Sequence, residues 1–318
     1  MIPEIRIEDY NYDLPDARIA KYPLENRDDS KLLVYKEEHP CSAAFRDIDS
    51  YLPEGSLMVF NDTKVVPARL HFQKATGAHI EIFCLEPVSP GEYVTMFDVK
   101  DRCRWKCIIG NVKRWKSGEV FLYNPEGRED ILQMNLRAQL LERTGETSIV
   151  EFVWDDGAPF SKVLEMCGSV PIPPYLNRET ESVDLDRYQT LYAKFRGSVA
   201  APTAGLHFTD RVLESIKAKG ISIETVCLHV GAGTFLPVKS SLVAEHTMHR
   251  EPFVVTHSFL EKLLSRQGKL VAVGTTSVRT LESLYYVGVK CIENGCPGDV
   301  SQWEPYERHY DYSYEDAI

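Results

Sequence analysis

The 318-residue chain has no apolar run approaching the roughly 18 to 20 residues that a membrane-spanning helix needs. Its start, Met1-Ile2-Pro3-Glu4-Ile5-Arg6, has no signal-peptide core. The two absences point to a soluble, cytoplasmic chain with no membrane partner. Cysteine is sparse: the closest pairs among the eight, Cys103 with Cys107 and Cys291 with Cys296, lack second halves at zinc-ribbon spacing. Reduced thiols and no metal site are expected. No Gly-Lys-Ser/Thr triplet follows an apolar strand, and the full dinucleotide fingerprint and the Gly-x-Ser-x-Gly elbow are missing too. Nucleoside triphosphate use and covalent hydrolase chemistry are thereby disfavoured. Positive charge is in deficit, 36 Lys and Arg against 47 Asp and Glu, for a net charge of -11. That balance argues against indiscriminate nucleic-acid binding, because neutralising phosphates needs clustered cations.

Charge is nevertheless concentrated in one place. Residues 100–118 carry seven basic side chains, Lys100, Arg102, Arg104, Lys106, Lys113, Arg114 and Lys116, against the single acid Asp101. Trp105 and Trp115 lie among them. Two readings stand: a surface that tracks a phosphate backbone and stacks on bases, or a solvated strand face over two core tryptophans.

Length beyond the usual single-domain size predicts two domains. From about Pro67 to Val153 the texture is short alternating runs such as His79-Ile80-Glu81-Ile82-Phe83-Cys84-Leu85, broken by Gly, Pro and Asn, which reads as a small barrel or sandwich. After Pro171 helices and strands alternate. Thr209 caps a helix to about Ala218, Ile221–Val230 is a strand, and Ser258 with Glu261 forms a capping box. Lys269–Gly274 is a short strand, and Thr276 or Ser277 caps a helix through Leu284. The expected fold is an α/β main domain, its mixed and mainly parallel sheet covered by helices, over residues 1–66 and 154–318, with an inserted all-β barrel domain over 67–153. The last twenty residues show no clear closing element, so the α/β domain looks unfinished.

Three runs of small residues carry the chemistry. Gly197–Thr209 contains Thr203, Gly205 and His207; Leu228–Phe235 contains His229, Gly231, Gly233 and Thr234; Val273–Ser283 contains Thr275, Thr276, Ser277 and Arg279. Two of them follow apolar strands, and in open α/β sheets such loops converge on one crevice. The third opens a helix, where free N–H groups and the macrodipole favour a carboxylate or phosphate and Arg279 adds a bidentate contact. His246, His249 and Glu251 sit within six residues of one another, ahead of Pro252 and an apolar strand. That context favours acid/base or hydrogen-bonding work over a preformed metal face.

At these residues the sequence closely resembles the S-adenosylmethionine:tRNA ribosyltransferase-isomerase family of queuosine biosynthesis. The matching blocks are Tyr12–Pro15 with Ile19, Ala20 and Pro23, Asn61–Leu70, Pro171–Tyr175, Arg187–Ala193, Ser198–Thr209, His229–Phe235, the His246, His249 and Glu251 cluster, and Gly274–Ser283. The resemblance implies an α/β domain with an inserted β-barrel. It further implies that the ribosyl moiety of S-adenosylmethionine, a co-substrate, passes to the 7-aminomethyl-7-deazaguanine wobble base of tRNA with a GUN-type anticodon. Epoxyqueuosine-tRNA, adenine and methionine are the products, and no metal takes part. His207, His229, His249 and Glu251 become the acid/base candidates. Thr203, Gly205, Gly231, Gly233, Thr234, Thr275, Thr276, Ser277 and Arg279 become the substrate contacts, and Arg69, Arg104, Lys113, Arg114 and Lys116 the tRNA contacts.

The chain departs from the pattern twice. Gly110-Asn111-Val112-Lys113-Arg114 stands where a Lys-Pro-Ala-Lys-Arg segment is common, keeping the Lys-Arg pair without the proline. The Pro-Gly-Tyr, Asn-Phe-His-Leu-Pro-like and Tyr-Gly-Asp blocks that normally follow do not occur before Ile318. The alternative expectation is therefore an inactive remnant that binds tRNA or S-adenosylmethionine.

Overall fold

The computed structural model describes residues 4–124, 127–145, 147–235 and 238–318. A hairpin of β1 (Lys31–Lys36) and β2 (His39–Ala44) comes first. β3 (Leu57–Asn61) then runs inside with all five residues buried, and after Asp62 the chain continues as β4 (Thr63–Val65). Next come β5 (Arg69–Gln73), β6 (His79–Ser89), α1 (Tyr93–Asp98), β7 (Arg102–Gly110), β8 (Glu119–Leu122), α2 (Glu129–Leu132), β9 (Arg137–Thr144) and β10 (Thr147–Val153). These six strands pair antiparallel in the order β5-β6-β7-β10-β9-β8, and β8 closes onto β5. The result is a closed barrel.

Along β7 and β10 burial alternates residue by residue, the period-2 pattern of strands with one face on a core. Trp105 of β7 is on that inner face and Trp115, in the turn after β7, packs into the same core; both are fully buried, and Trp115 Nε1 donates to the Gly118 carbonyl at 2.9 Å. They are core side chains. The base-stacking reading of these tryptophans is overturned, because burial leaves neither indole a free face.

Beyond the barrel lie α3 (Phe160–Cys167), β11 (Gly168–Ser169) paired to β5, α4 (Asp184–Arg187), β12 (Phe195–Ser198) parallel to β4, and α5 (Asp210–Ala218). β13 (Ser222–Leu228), β14 (Phe253–Val254), α6 (His257–Ser265), β15 (Leu270–Ala272) and α7 (Thr275–Asn294) follow, and α8 (Glu304–Glu307) and α9 (Tyr314–Ala317) end the chain. The main sheet has the order β14-β13-β3-β15, with β13 and β15 parallel to β3 and β14 antiparallel at the edge. β3 alternates its side chains between two layers. Met58 and Phe60 pack with Val212 and Ile216 of α5, while Leu57 and Val59 pack with Phe259 and Leu263 of α6 and Leu281 and Leu284 of α7. Covered on both faces, β3 has no polar residue before Asn61.

Several local expectations shift. The N-cap of α6 is Thr256, whose hydroxyl accepts from Phe259 N at 3.2 Å, so Ser258 lies inside the helix. α7 starts at Thr275 behind Gly274 and runs to Asn294, ten residues past Leu284, ending on Gly295 in the left-handed region at φ 74°. Its internal Gly288 is a contact point, since a Cβ there would overlap the Ala317 carbonyl of α9. The segment Asp16–Lys21 forms only a 3-10 turn, Asp16–Arg18. Among the described residues no helix is long and apolar enough to cross a membrane.

Phe60 is 1% exposed, with its ring edge-on to Phe208 at 4.9 Å and Tyr192 at 4.7 Å. Phe60→Ala is expected to lower unfolding free energy by about 3–5 kcal/mol. Denaturant titration checks this, and a loss under ~1 kcal/mol would contradict the three-layer packing.

Candidate active site at the ends of the parallel strands

Where β3, β4, β12 and β13 end, side chains take over the hydrogen bonding of the ladder. Asn61, fully buried, donates Nδ2 to the Leu228 carbonyl at 2.9 Å, and its Oδ1 accepts from Leu228 N at 3.0 Å and Thr63 N at 3.3 Å. Ser198 Oγ accepts from Val230 N at 2.8 Å and lies 2.7 Å from Thr63 Oγ1, while Val199 N donates to the Val230 carbonyl at 2.8 Å. The first two small-residue runs are thereby stitched side by side. His229 projects between them. Its Nδ1 is 3.3 Å from Thr63 Oγ1, its ring stacks on Tyr93 of α1 at 5.1 Å, and a Cβ on Gly197 would overlap it. Burial lowers the His229 pKa below the ordinary histidine value, so the ring is neutral at pH 7.

Glu251 approaches from the strand-entry loop. Its Oε1 accepts from Gly231 N at 3.2 Å and its Oε2 from Arg279 Nη1 at 2.6 Å, and Arg279 Nη2 also donates to the His249 carbonyl. Burial raises the Glu251 pKa above the usual carboxylate value, opposed by the Arg279 charge and the Gly231 N–H. The His249 ring lies against Gly233, where a Cβ would overlap it. The second small-residue run, the 246–251 loop and α7 thus meet on one carboxylate.

The third run closes the ring of contacts. Gly274, at φ 86°, brings the start of α7 opposite the Thr203–Gly205 turn, and a Cβ on Gly274 would stand 3.3 Å from the Ala204 Cβ. Thr276 Oγ1 is shielded from solvent and has no hydrogen-bond partner, whereas the fully buried Ser277 hydroxyl donates to the Val273 carbonyl at 3.0 Å. Thr203, Thr234 and Thr275 are exposed. The geometry brings together the start of α7, the ion-paired Glu251 carboxylate and the His249 imidazole.

A family profile described as Queuosine biosynthesis protein matches residues 7–301. The chain belongs to that family. The S-adenosylmethionine:tRNA ribosyltransferase-isomerase of Trichlorobacter lovleyi is 42% identical over 282 residues, covering 87% of this chain and 76% of the relative. The protein of that name from Legionella pneumophila (strain Corby) is 41% identical over 281 residues, with coverage of 87% and 76%. A crystal structure of S-adenosylmethionine tRNA ribosyltransferase from Thermotoga maritima shares 29% identity over 86% of this chain and 72% of that one, with a TM-score of 0.36.

In this queuosine biosynthesis protein two of the four acid/base candidates, His249 and Glu251, are joined by short contacts through Gly231, Gly233 and Arg279, and His229 lies beside them, its backbone N donating to the Pro252 carbonyl at 3.0 Å. His207 stands apart. Its Nδ1 is 3.0 Å from Ser30 Oγ, its ring tilts on Phe45 at 5.2 Å, and burial lowers its pKa. Gly205 lets the nearby turn pass the Tyr192 hydroxyl, which a Cβ would overlap. Among the basic candidates, Arg69 pairs with Glu81 at 3.3 Å and Arg104 with Glu151 at 2.9 Å. Lys113, Arg114 and Lys116 are exposed and have no acidic partner among the described residues. Lys74 donates to the Arg114 carbonyl at 3.2 Å and Arg143 to the Val112 carbonyl at 3.0 Å, bracing that turn with further positive charge. Among the described residues, no group of three or more His, Cys, Asp and Glu side chains is placed to hold a metal ion.

Sequence reasoning missed Asn61, Thr63, Ser198 and Tyr93. Polar residues at the end of a wholly buried strand were the available signal for the first two; nothing in the sequence marks Tyr93, which comes from the barrel segment.

Arg279→Met is expected to cost roughly 2 kcal/mol near neutral pH, below the cost of breaking a fully buried pair because Arg279 is 36% exposed. The sign follows from Glu251. Its folded pKa already lies above the unfolded one and rises further without Arg279, so the variant loses stability as pH climbs through the folded value. Denaturation at pH 5 and pH 8 should show a wider gap from wild type at pH 8.

Proposed function

We propose that the chain is an S-adenosylmethionine:tRNA ribosyltransferase-isomerase, transferring and isomerising the ribosyl moiety of its co-substrate onto the 7-aminomethyl-7-deazaguanine wobble base of tRNA with a GUN-type anticodon. Epoxyqueuosine-tRNA, adenine and methionine are the products, and the work is cytoplasmic. The observation that carries the reading is the convergence of the α7 start and the His249–Glu251–Arg279 group on the small-residue loops.

The start of α7 is the seat for the methionine carboxylate. Backbone N–H groups at Thr275–Ser277 and the unpartnered Thr276 hydroxyl supply donors where the helix dipole favours negative charge. Glu251 then sets negative charge against the sulfonium. Gly231 and Gly233, with Thr203, Gly205 and Thr234, leave the backbone open for the ribose and adenine. The sulfonium acidifies the adjoining ribose carbon, and His249, half-buried over Gly233, takes that proton. Ring nitrogens of the departing adenine need a proton or hydrogen bonds, for which His207 is the outlying candidate. Neutral His229, held on Tyr93 and Thr63, shapes the floor.

The test is adenine release from S-adenosylmethionine by the purified chain, with and without tRNA carrying the deazaguanine precursor. Release that depends on the tRNA is expected. Its absence while tRNA still binds would replace the enzyme reading with that of a binding remnant.

For the tRNA, the unpaired turn at Lys113, Arg114 and Lys116 is assigned the phosphate contacts, with Arg69 and Arg104 as lesser contributors already spent on acids. Replacing the three by Glu should weaken tRNA binding and flatten the slope of log affinity against log salt by roughly 2 to 3. Arg104→Ala should barely change either. Equal effects from both variants would remove the turn from the interface.

A further inference from the structure

The end of the chain, which showed no closing element in the sequence, is tied to α7 throughout. Tyr285 Oη donates to the Tyr312 carbonyl at 2.9 Å, and Tyr314 and Ile318 join the cluster of Val59, Phe259 and Leu281. The strongest tie is polar. Lys290 Nζ bonds Glu304 Oε2 at 2.7 Å, with the two side chains 16% and 6% exposed, and Glu304 also accepts from Ser301 N at 3.1 Å and Tyr310 Oη at 3.1 Å. Three groups converge on this carboxylate and fix the turn that begins at Asp299.

That turn presents Gln302 to the loop carrying His249. Gln302 Oε1 accepts from Met248 N at 2.9 Å, and its Nε2 donates to the His246 carbonyl at 2.7 Å. The amide therefore grips backbone on both sides of Thr247, and what it fixes is the path of the loop whatever its side chains. The loop has no regular structure between the 3-10 turn Val243–Glu245 and β14, so it relies on such contacts to stay ordered. Arg279 also holds it, on the His249 carbonyl and Glu251, as do Gly231 N on Glu251 and the exposed Arg250–Asp299 pair at 3.1 Å. Arg279 and Lys290 are eleven residues apart on α7, about three turns, and so share one side of the helix.

We infer that Gln302, locked by the Lys290–Glu304 pair, is a positioning residue that sets the 246–251 loop and so the reach of the His249 ring into the site. This rests on the proposed role of that site, and its geometric half is measurable without any activity. A side chain that merely satisfied two surface backbone groups would leave the reacting centre undisturbed when removed.

The experiment uses the full chain carrying Gln302→Ala, read by hydrogen–deuterium exchange and by adenine release. Exchange across 246–250 should rise roughly tenfold or more with α7 peptides unchanged. Turnover at saturating substrates should fall roughly tenfold to a hundredfold, with KM for S-adenosylmethionine within about threefold. Gln302→Glu keeps the acceptor for Met248 N–H and loses the donor to His246, so it should fall between. Lys290→Met with Glu304→Met removes the lock without leaving a buried unpaired charge and should reproduce the exchange signature. Unchanged exchange in Gln302→Ala overturns the clamp. Faster exchange with wild-type turnover overturns its positioning role. A wild-type chain that releases no adenine defeats the proposed activity instead, and the clamp then stands or falls on exchange alone.

Discussion

The site depends on one constraint: backbone groups at the ends of parallel strands have to find partners after the ladder stops. Each buried N–H or carbonyl left alone costs on the order of a lost hydrogen bond, and water is excluded here by the packing of three loops. Asn61, Ser198 and Glu251 meet the demand with side chains, taking Leu228 N and O, Val230 N and Gly231 N respectively. Asn61 does so with both ends of its amide, standing in for a rung between β3 and β13. Once these groups are fixed, the loops are held backbone against backbone at a spacing only small residues allow. The glycines follow from that spacing: Gly197 faces the His229 ring, Gly233 the His249 ring and Gly205 the Tyr192 hydroxyl.

The same constraint explains why so much charge is buried so close together. Glu251 loses solvation when it bonds Gly231, and Arg279 offsets that loss while also taking the His249 carbonyl. Remove one member and the others keep their burial without their partners, which is why such groups act as a unit rather than as a sum of pairs. Asp62 illustrates the opposite case. It is buried with its Oδ1 unpartnered, and burial raises its pKa, opposed by the Thr225 hydroxyl, the Lys194 charge and its own backbone N–H.

Much of this was legible in the residues and some was not. Alternation in His79–Leu85 and the five-residue apolar run of β3 announce a barrel and a covered strand, because burial acts on each residue in turn. The three small-residue runs announce convergence for the same local reason. What escaped depends on distant partners. The length of α7 past Leu284 is stabilised by α9 docking on Gly288, and a glycine inside a helix reads as a stop when its packing partner lies 29 residues on. The tryptophans among the cations resolve only when the barrel closes around them. His207 shares a motif with Thr203 and Gly205, yet the turn carries its ring to Ser30 and Phe45, a separation that sequence proximity conceals.

A single helix links most of these contacts. The first turn of α7 faces the Ala204 turn, its second turn delivers Arg279 to Glu251, and three turns further on Lys290 holds the segment that grips the 246–248 backbone. A helix of 20 residues is stiff over this distance, so displacements at its start and at its Lys290 end cannot be independent. The turn opposite Ala204, the Glu251 carboxylate and the His249 loop are accordingly placed by one rigid body, docked on β3 through Leu281 and Leu284. Precision at the site then needs few contacts of its own, because the core beneath supplies it. The glycines that make room for the His229 and His249 rings can remain small, since the order of their loops is set from outside them.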